Sequence, residues 1–231
     1  MLQQTQVERV LPFYENFIKK FPTVQTLAAA PLADVLKAWQ GLGYNSRAKR
    51  LQDAAKQVVE KHGGKLPKDA ASLETLPGIG PYTARAIEAF AHNTDSVFIE
   101  TNIRTVVQHH FFSGKEGVDD QEIVEVLKRA LPIGSAREWY SALMDYGAHL
   151  KRSGVRINSK SKLYTKQSKF SGSAREARGA ILKSLAKAPN TAAKLTLLLG
   201  DHRKAQLEEQ LQKLLKEGLV QKIGRTYRLP Q

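Results

Sequence analysis

The chain contains no cysteine among its 231 residues. That excludes disulfides and every thiolate-held metal site, an iron–sulfur cluster included. Long apolar runs are also lacking. No stretch approaches the roughly 20 residues of a membrane-spanning helix, so no membrane partner is expected. The opening MLQQTQVERV has no apolar core of a signal peptide. Acidic residues are scarce: 22 Asp and Glu face 36 Lys and Arg, for a formal charge of +14 and a pI near 9.9. An excess of that size points to a polyanionic partner, with nucleic acid the better candidate once a membrane is set aside. A cytoplasmic, nucleoid-associated DNA-binding protein is the simplest fit.

What is present is ordinary for a globular chain: 42% of residues are hydrophobic, and the length allows one large or two modest domains. Helical spacing dominates. Residues 2–21 carry an apolar stripe that Pro22 ends, and 26–39 repeat it with Leu32, Val35, Leu36 and Trp39 on one face. Gly41 and Gly43 break the pattern before a helix over 47–61, which Gly63-Gly64 ends. Further helices are predicted over 71–76, 83–92, 102–112, 119–131 and 136–150. Val97-Phe98-Ile99 is too short to decide between an extended segment and a helix entry. Strand signals are nearly absent, which predicts an all-α domain of stacked short helices.

Beyond position 150 the character changes. Residues 151–175 carry eight Lys or Arg and no acid, with Ser and Gly throughout. A solvated linker and a DNA-tracking strap with Tyr164 and Phe170 available for stacking both fit. Helical patterns near 175–187, 191–199 and 203–217 then precede a two-stranded hairpin turning at Gly224. This resembles a small winged-helix α+β module. The mixed charge of 203–217 suits a structural cap as well as a groove reader. The expected division is 1–150, a basic linker 151–173, and 174–231.

The most informative stretch is LPGIGPYTARAIEAFAHNTDSVFIETN, from Leu76 to Asn102. Pro77 cannot sit inside a helix, and Gly78 and Gly80 permit backbone angles that side chains forbid. A helix follows. A Gly-x-Gly turn opening a helix directs unpaired N–H groups outward, where they can hold a phosphate without reading a base. An ordinary helix–helix turn has the same pattern. Downstream stands a carboxylate, Glu100, then Thr101-Asn102.

LPGIGPYTARAI with Glu100-x-Asn102 resembles the helix-hairpin-helix (HhH-GPD) DNA glycosylase superfamily, that of endonuclease III and MutY. MLQQTQV and GLGYNSRAKRL resemble MutY-like adenine glycosylases in particular, in the same order along residues 1–150. The resemblance implies excision of a flipped base through an oxocarbenium-like state, which needs an anionic carboxylate at the anomeric carbon. Glu100 occupies the place of the family aspartate, one methylene longer. Tyr82 stands where bifunctional relatives carry a nucleophilic lysine, so a monofunctional glycosylase without lyase activity is implied. Tyr82 would bond the carboxylate or the sugar. The hairpin residues Pro77, Gly78, Ile79, Gly80 and Thr83 would hold the backbone, with Asn102 nearby. Gln4, with Thr5, would enter the duplex and read the orphan base; Leu42, Gly43 and Tyr44 would form a second wedge, and Arg47 a phosphate contact.

Three departures accompany the resemblance. The family glutamate that protonates adenine precedes the methionine of MLQQTQV by two positions, ahead of Met1; the natural chain is therefore expected to begin earlier. The family's four cluster cysteines are missing, with Lys151 at the first position, so no cofactor is expected. A C-terminal Nudix-like domain is not recognisable. The implied partner is double-stranded DNA with a mismatch or oxidised base, bound by a monomer. The implied substrate is adenine opposite 8-oxoguanine or guanine. Thymine opposite guanine, or a non-catalytic damage-binding role, are the alternatives.

Overall fold

A computed structural model describes residues 1–3, 5–155 and 169–231; Gln4, Tyr164 and most of the basic 151–173 segment lie outside the described residues. The helices are α1 (Val7–Lys20), α2 (Val24–Ala29), α3 (Leu32–Trp39), α4 (Ser46–His62), α5 (Ala70–Glu74), α6 (Pro81–His92), α7 (Thr101–Phe111), α8 (Asp120–Ala130) and α9 (Ala136–Arg152). After the undescribed residues come α10 (Ala174–Lys187), β1 (Asn190–Thr191), α11 (Ala192–Leu199), α12 (Lys204–Lys216), β2 (Gln221–Ile223) and β3 (Thr226–Arg228). The fold is mostly helical, and its strands form one small C-terminal sheet, as the patterning predicted.

Two expectations are corrected in detail. The pattern over 26–39 is not one helix. Thr23 opens α2 with a capping box to Thr26, and Pro31, with Ala30 extended before it, forces a new start at Leu32. The expected hairpin is part of a three-stranded antiparallel sheet ordered β1-β3-β2. Asn190 pairs with Tyr227 on the side of β3 away from Lys222.

The chain forms two compact units, 1–65 with 168–231, and 66–167. These cut across the linear division at 150 and 174. In the first unit, Val10, Phe17, Val35, Leu36 and Trp39 share one apolar cluster with Ile181, Leu185, Leu207, Leu211 and Leu229. The Ala33 amide donates to the Pro230 carbonyl at 2.8 Å. The helical faces of 174–231 therefore cover α1–α4 and do not close on themselves alone.

The second unit is contiguous. Its core gathers Phe98, Ile103, Val107, Ile123, Leu127 and Tyr140. Val97-Phe98-Ile99 lies outside any helix or strand, and the Phe98 ring lies 4.2 Å, centroid to centroid, from Tyr140. The Tyr140 hydroxyl donates to the Ser96 carbonyl at 3.0 Å. α7 packs on α9, closely enough that a Cβ on Gly147 would lie 2.3 Å from the Asn102 carbonyl oxygen. Only glycine permits that approach.

Candidate active site

The hairpin sits between α5 and α6. Asp69 caps α5 by accepting from the Ser72 amide at 2.8 Å, and Leu76 is buried beneath the turn. Gly78 takes a φ of +81°, where a side chain is strained. The Ile79 amide closes the turn on the Leu76 carbonyl at 3.1 Å. Gly80 is the N-cap of α6 and Pro81 its first residue; no side chain caps the helix. Gly78 and Gly80 are exposed, and Pro77, Ile79 and Thr83 are half-buried. The first N–H groups of α6 thus point out of an exposed glycine turn, where an anion can meet them.

Glu100 is the N-cap of α7, and its Oε2 accepts from the Asn102 amide at 2.5 Å. Asp119 makes the same bond at the start of α8, accepting from the Gln121 amide at 3.0 Å, so the contact is that of an ordinary N-cap carboxylate. Tyr82 belongs to α6 and packs edge-on against Phe98, with ring centroids 5.8 Å apart. Burial, then the Glu100 charge, push its phenol up to about 12. Tyr82 therefore lies within the field of Glu100 and keeps its proton at neutral pH. An open cleft of about 490 Å³ passes Pro81, Tyr82, Arg85, Phe98, Ile99 and Asp120. Glu100 is not among the residues lining it, so the cleft is not by itself the reaction site.

The half-buried Asn102 side chain turns towards α9. Its Oδ1 accepts from the Lys151 ammonium at 2.6 Å. Burial holds the Lys151 amine below the ordinary lysine range, and the Glu100 charge partly offsets this. The sequence marked Lys151 only as a missing cysteine. The signal that could have found it is its place one helical turn beyond Gly147, on the face that meets Asn102. Arg104, next along α7, is committed to Asp120, with Nη2 donating to Oδ2 at 3.0 Å.

The predicted wedge residues lie in the other unit. Leu42 is corrected: it is 5% exposed and belongs to the core cluster, so it presents no stacking surface. The Trp39 indole donates to the Gly43 carbonyl at 3.1 Å, which tightens the loop and turns Leu42 in. Tyr44 is 42% exposed, with a φ of +46°. Arg47 is half-buried. Its guanidinium donates to the Gln3 carbonyl at 3.0 Å and lies over the rings of Trp39 and Tyr44, 5.3 and 5.8 Å from their centroids. It ties the N-terminal segment to this loop. Thr5 is half-buried, its amide donating to the Leu2 carbonyl at 3.3 Å. Gln4 lies outside the described residues.

An iron–sulfur cluster does not fit this chain, because none of the thiolates it requires is present. Among the described residues no group of His, Asp or Glu converges as a metal site.

Residues 1–132 match the family model of the HhH-GPD superfamily base excision DNA repair protein. The adenine DNA glycosylase of Mycolicibacterium smegmatis is 34% identical, with 97% of this chain and 82% of that protein covered. The adenine DNA glycosylase of Buchnera aphidicola is 37% identical over 64% of this chain, and the human one 45% identical over 46%. This chain spans 42% of the Buchnera protein and 20% of the human one. Among solved structures, a thermostable thymine-DNA glycosylase superposes with a TM-score of 0.59 at 24% identity, covering 69% of this chain and 77% of that one. A trapped endonuclease III–DNA covalent intermediate superposes with 0.53 at 21% identity, covering 66% and 70%.

Proposed function

We propose that this chain, which belongs to the HhH-GPD superfamily of base excision DNA repair proteins, is a DNA N-glycosylase releasing adenine opposite 8-oxoguanine or guanine. The observation that carries the reading is Glu100 capping α7 with its charge felt at Tyr82, the second residue of the helix that follows the glycine hairpin. Identity to an adenine glycosylase along nearly the whole chain supports the substrate.

On this reading the hairpin amides and the first turn of α6 hold a backbone phosphate, and Tyr44 stacks where the duplex opens. Glu100 faces the sugar of the flipped nucleotide. As the bond between C1′ and the base nitrogen breaks, the bonding pair leaves with the base. The Glu100 carboxylate then stabilises the cationic sugar, an effect of the kind worth about 10²–10³-fold. Water adds to C1′ and gives up a proton; the departing base takes one. Tyr82, protonated up to about 12, donates to the carboxylate or the sugar throughout. No lysine stands at the hairpin position that would attack the sugar, so hydrolysis is the outcome there. The enzyme works as a monomer on double-stranded DNA and without an iron–sulfur cluster.

The test is single-turnover excision on duplexes holding adenine opposite 8-oxoguanine, adenine opposite guanine, and thymine opposite guanine. Adenine release, fastest opposite 8-oxoguanine, is expected. Thymine release alone would give the protein the other substrate. Tight lesion binding without any release would make it a damage-binding protein.

A further inference from the structure

Asn102 is gripped from two sides by α9. Its carbonyl meets the bare Cα of Gly147, where a Cβ would lie 2.3 Å from that oxygen. Its side-chain oxygen accepts from Lys151 at 2.6 Å. Its own amide is the one that Glu100 Oε2 accepts, at 2.5 Å. A line of three contacts therefore runs from the end of α9 through Asn102 to the candidate catalytic carboxylate. The only other role visible for Lys151 is that of a plain helix tether.

We propose that Lys151 is a positioning residue of the excision reaction, its ammonium holding Asn102 so that the cap of α7 presents Glu100 to the sugar. The proposal rests on the glycosylase reading above. The arrangement needs the charged amine, for two reasons. An ammonium makes a stronger bond to an amide oxygen than a neutral amine does. Its positive charge also attracts the Glu100 charge, whose pull on the Lys151 amine opposes the effect of burial. The titratable group facing Lys151 from α7 is Glu100, whose charge in turn reaches Tyr82 on α6. On α9 itself His149 and Arg152 are its neighbours in sequence. Burial lowers the Lys151 amine from 10.5, so its charge is lost at a lower pH than for an exposed lysine. A tether without electrostatic work would leave no mark on the pH profile of the chemical step.

The experiment follows single-turnover excision by the full chain from pH 6 to 11, past the ordinary lysine value of 10.5, using the duplex on which it is most active. Duplex affinity and thermal melting are measured alongside. The wild-type rate is expected to fall on an alkaline limb below pH 10.5, the ordinary lysine value. Lys151→Met should be at least about tenfold slower near neutral pH, a loss on the scale of slight misplacement. Its affinity should change by less than about threefold, its alkaline limb should vanish, and the two curves should converge at high pH. Lys151→Arg, which keeps a charge at every pH tested, should retain most of the rate and move the limb out of range. These outcomes support the proposal, and the arginine variant decides it if the methionine variant does not fold. A wild-type profile without an alkaline limb overturns it, as does Lys151→Met matching the wild type in rate and profile. Should the wild type release no base from any duplex, the glycosylase reading falls and this proposal with it; a wild type that cuts beside an indifferent Lys151→Met sinks this proposal alone.

Discussion

The unit over 66–167 and the unit made of 1–65 and 168–231 reach a packed core by opposite routes. In the first, every helix comes from one continuous stretch of chain, and Phe98, Tyr140 and Ile123 close one cluster within it. In the second, the faces of α1–α4 stay open until Ile181, Leu185 and Leu211 return from the far end of the chain. The candidate chemistry sits in the continuous unit. Loop-closure entropy favours that placement, because a site built within one stretch closes shorter loops than one that waits for the far end of the chain. The lesson is that the C-terminal module is structural before it is anything else.

The comparison breaks most visibly at Ile181, which is fully buried. Ile181→Ala should cost about 2–5 kcal/mol of stability in its unit, the range for truncating a buried aliphatic side chain. Hydrogen exchange should show α1–α4 losing protection together with α10–α12. Loss confined to residues beyond 168 would mean that the C-terminal module folds alone.

Next in size is Glu100→Gln. The amide still accepts from Asn102, so melting should hardly move, while excision falls about 10²–10³-fold, or about 2.7–4 kcal/mol in the transition state. Undiminished single-turnover excision would remove Glu100 from the chemistry.

Gly147→Ala tests the tight side of the contiguous unit. The added carbon would lie 2.3 Å from the Asn102 carbonyl, so α7 and α9 must part, at about 1–3 kcal/mol for overpacking. Excision should fall with stability, because the cap that holds Glu100 moves with Asn102. A variant as stable and as fast as the parent would show that the two helices are not pressed together.

The smallest effect separates the units by pH. Tyr82 and Tyr140, both over 66–167, have phenols raised to about 12, in each case chiefly by burial. Their folded values lie above the ordinary value of 10, so the fold prefers the protonated forms. The stability they contribute is complete below pH 10 and is lost as pH rises from 10 towards 12. Alkaline melting should therefore begin in this unit, and Tyr82→Phe should blunt it while slowing excision less than about tenfold. Melting that starts in the other unit would contradict the assignment.

Much of the fold is legible in the residues. Helical spacing ended by Gly63 forecasts α4 to within a residue at each end, Pro22 forecasts the end of α1 although that helix starts only at Val7, and Pro77-Gly78-Ile79-Gly80 forecasts the hairpin. Those signals are local: a missing N–H, a missing Cβ, an apolar face at a fixed period. Pro31 was legible too, as a stop inside 26–39, but the uninterrupted apolar pattern masked it. Leu42 misled because an exposed wedge and a buried anchor are the same residue type. Only the Trp39 bond to the Gly43 carbonyl turns it inward.

Determined by the sequence alone, then, were the helical class, the basic surface, the absence of thiolate ligands, and the order hairpin, Tyr82, Glu100. All of these follow from residue type and spacing along one chain. Tertiary structure alone decided that Lys151 meets Asn102 across 49 positions, that Arg47 holds the N-terminal segment, and that α10–α12 complete the core of α1–α4. Such pairings depend on which faces meet in space. Close packing and the burial of charge choose among them, and neither acts until distant segments touch.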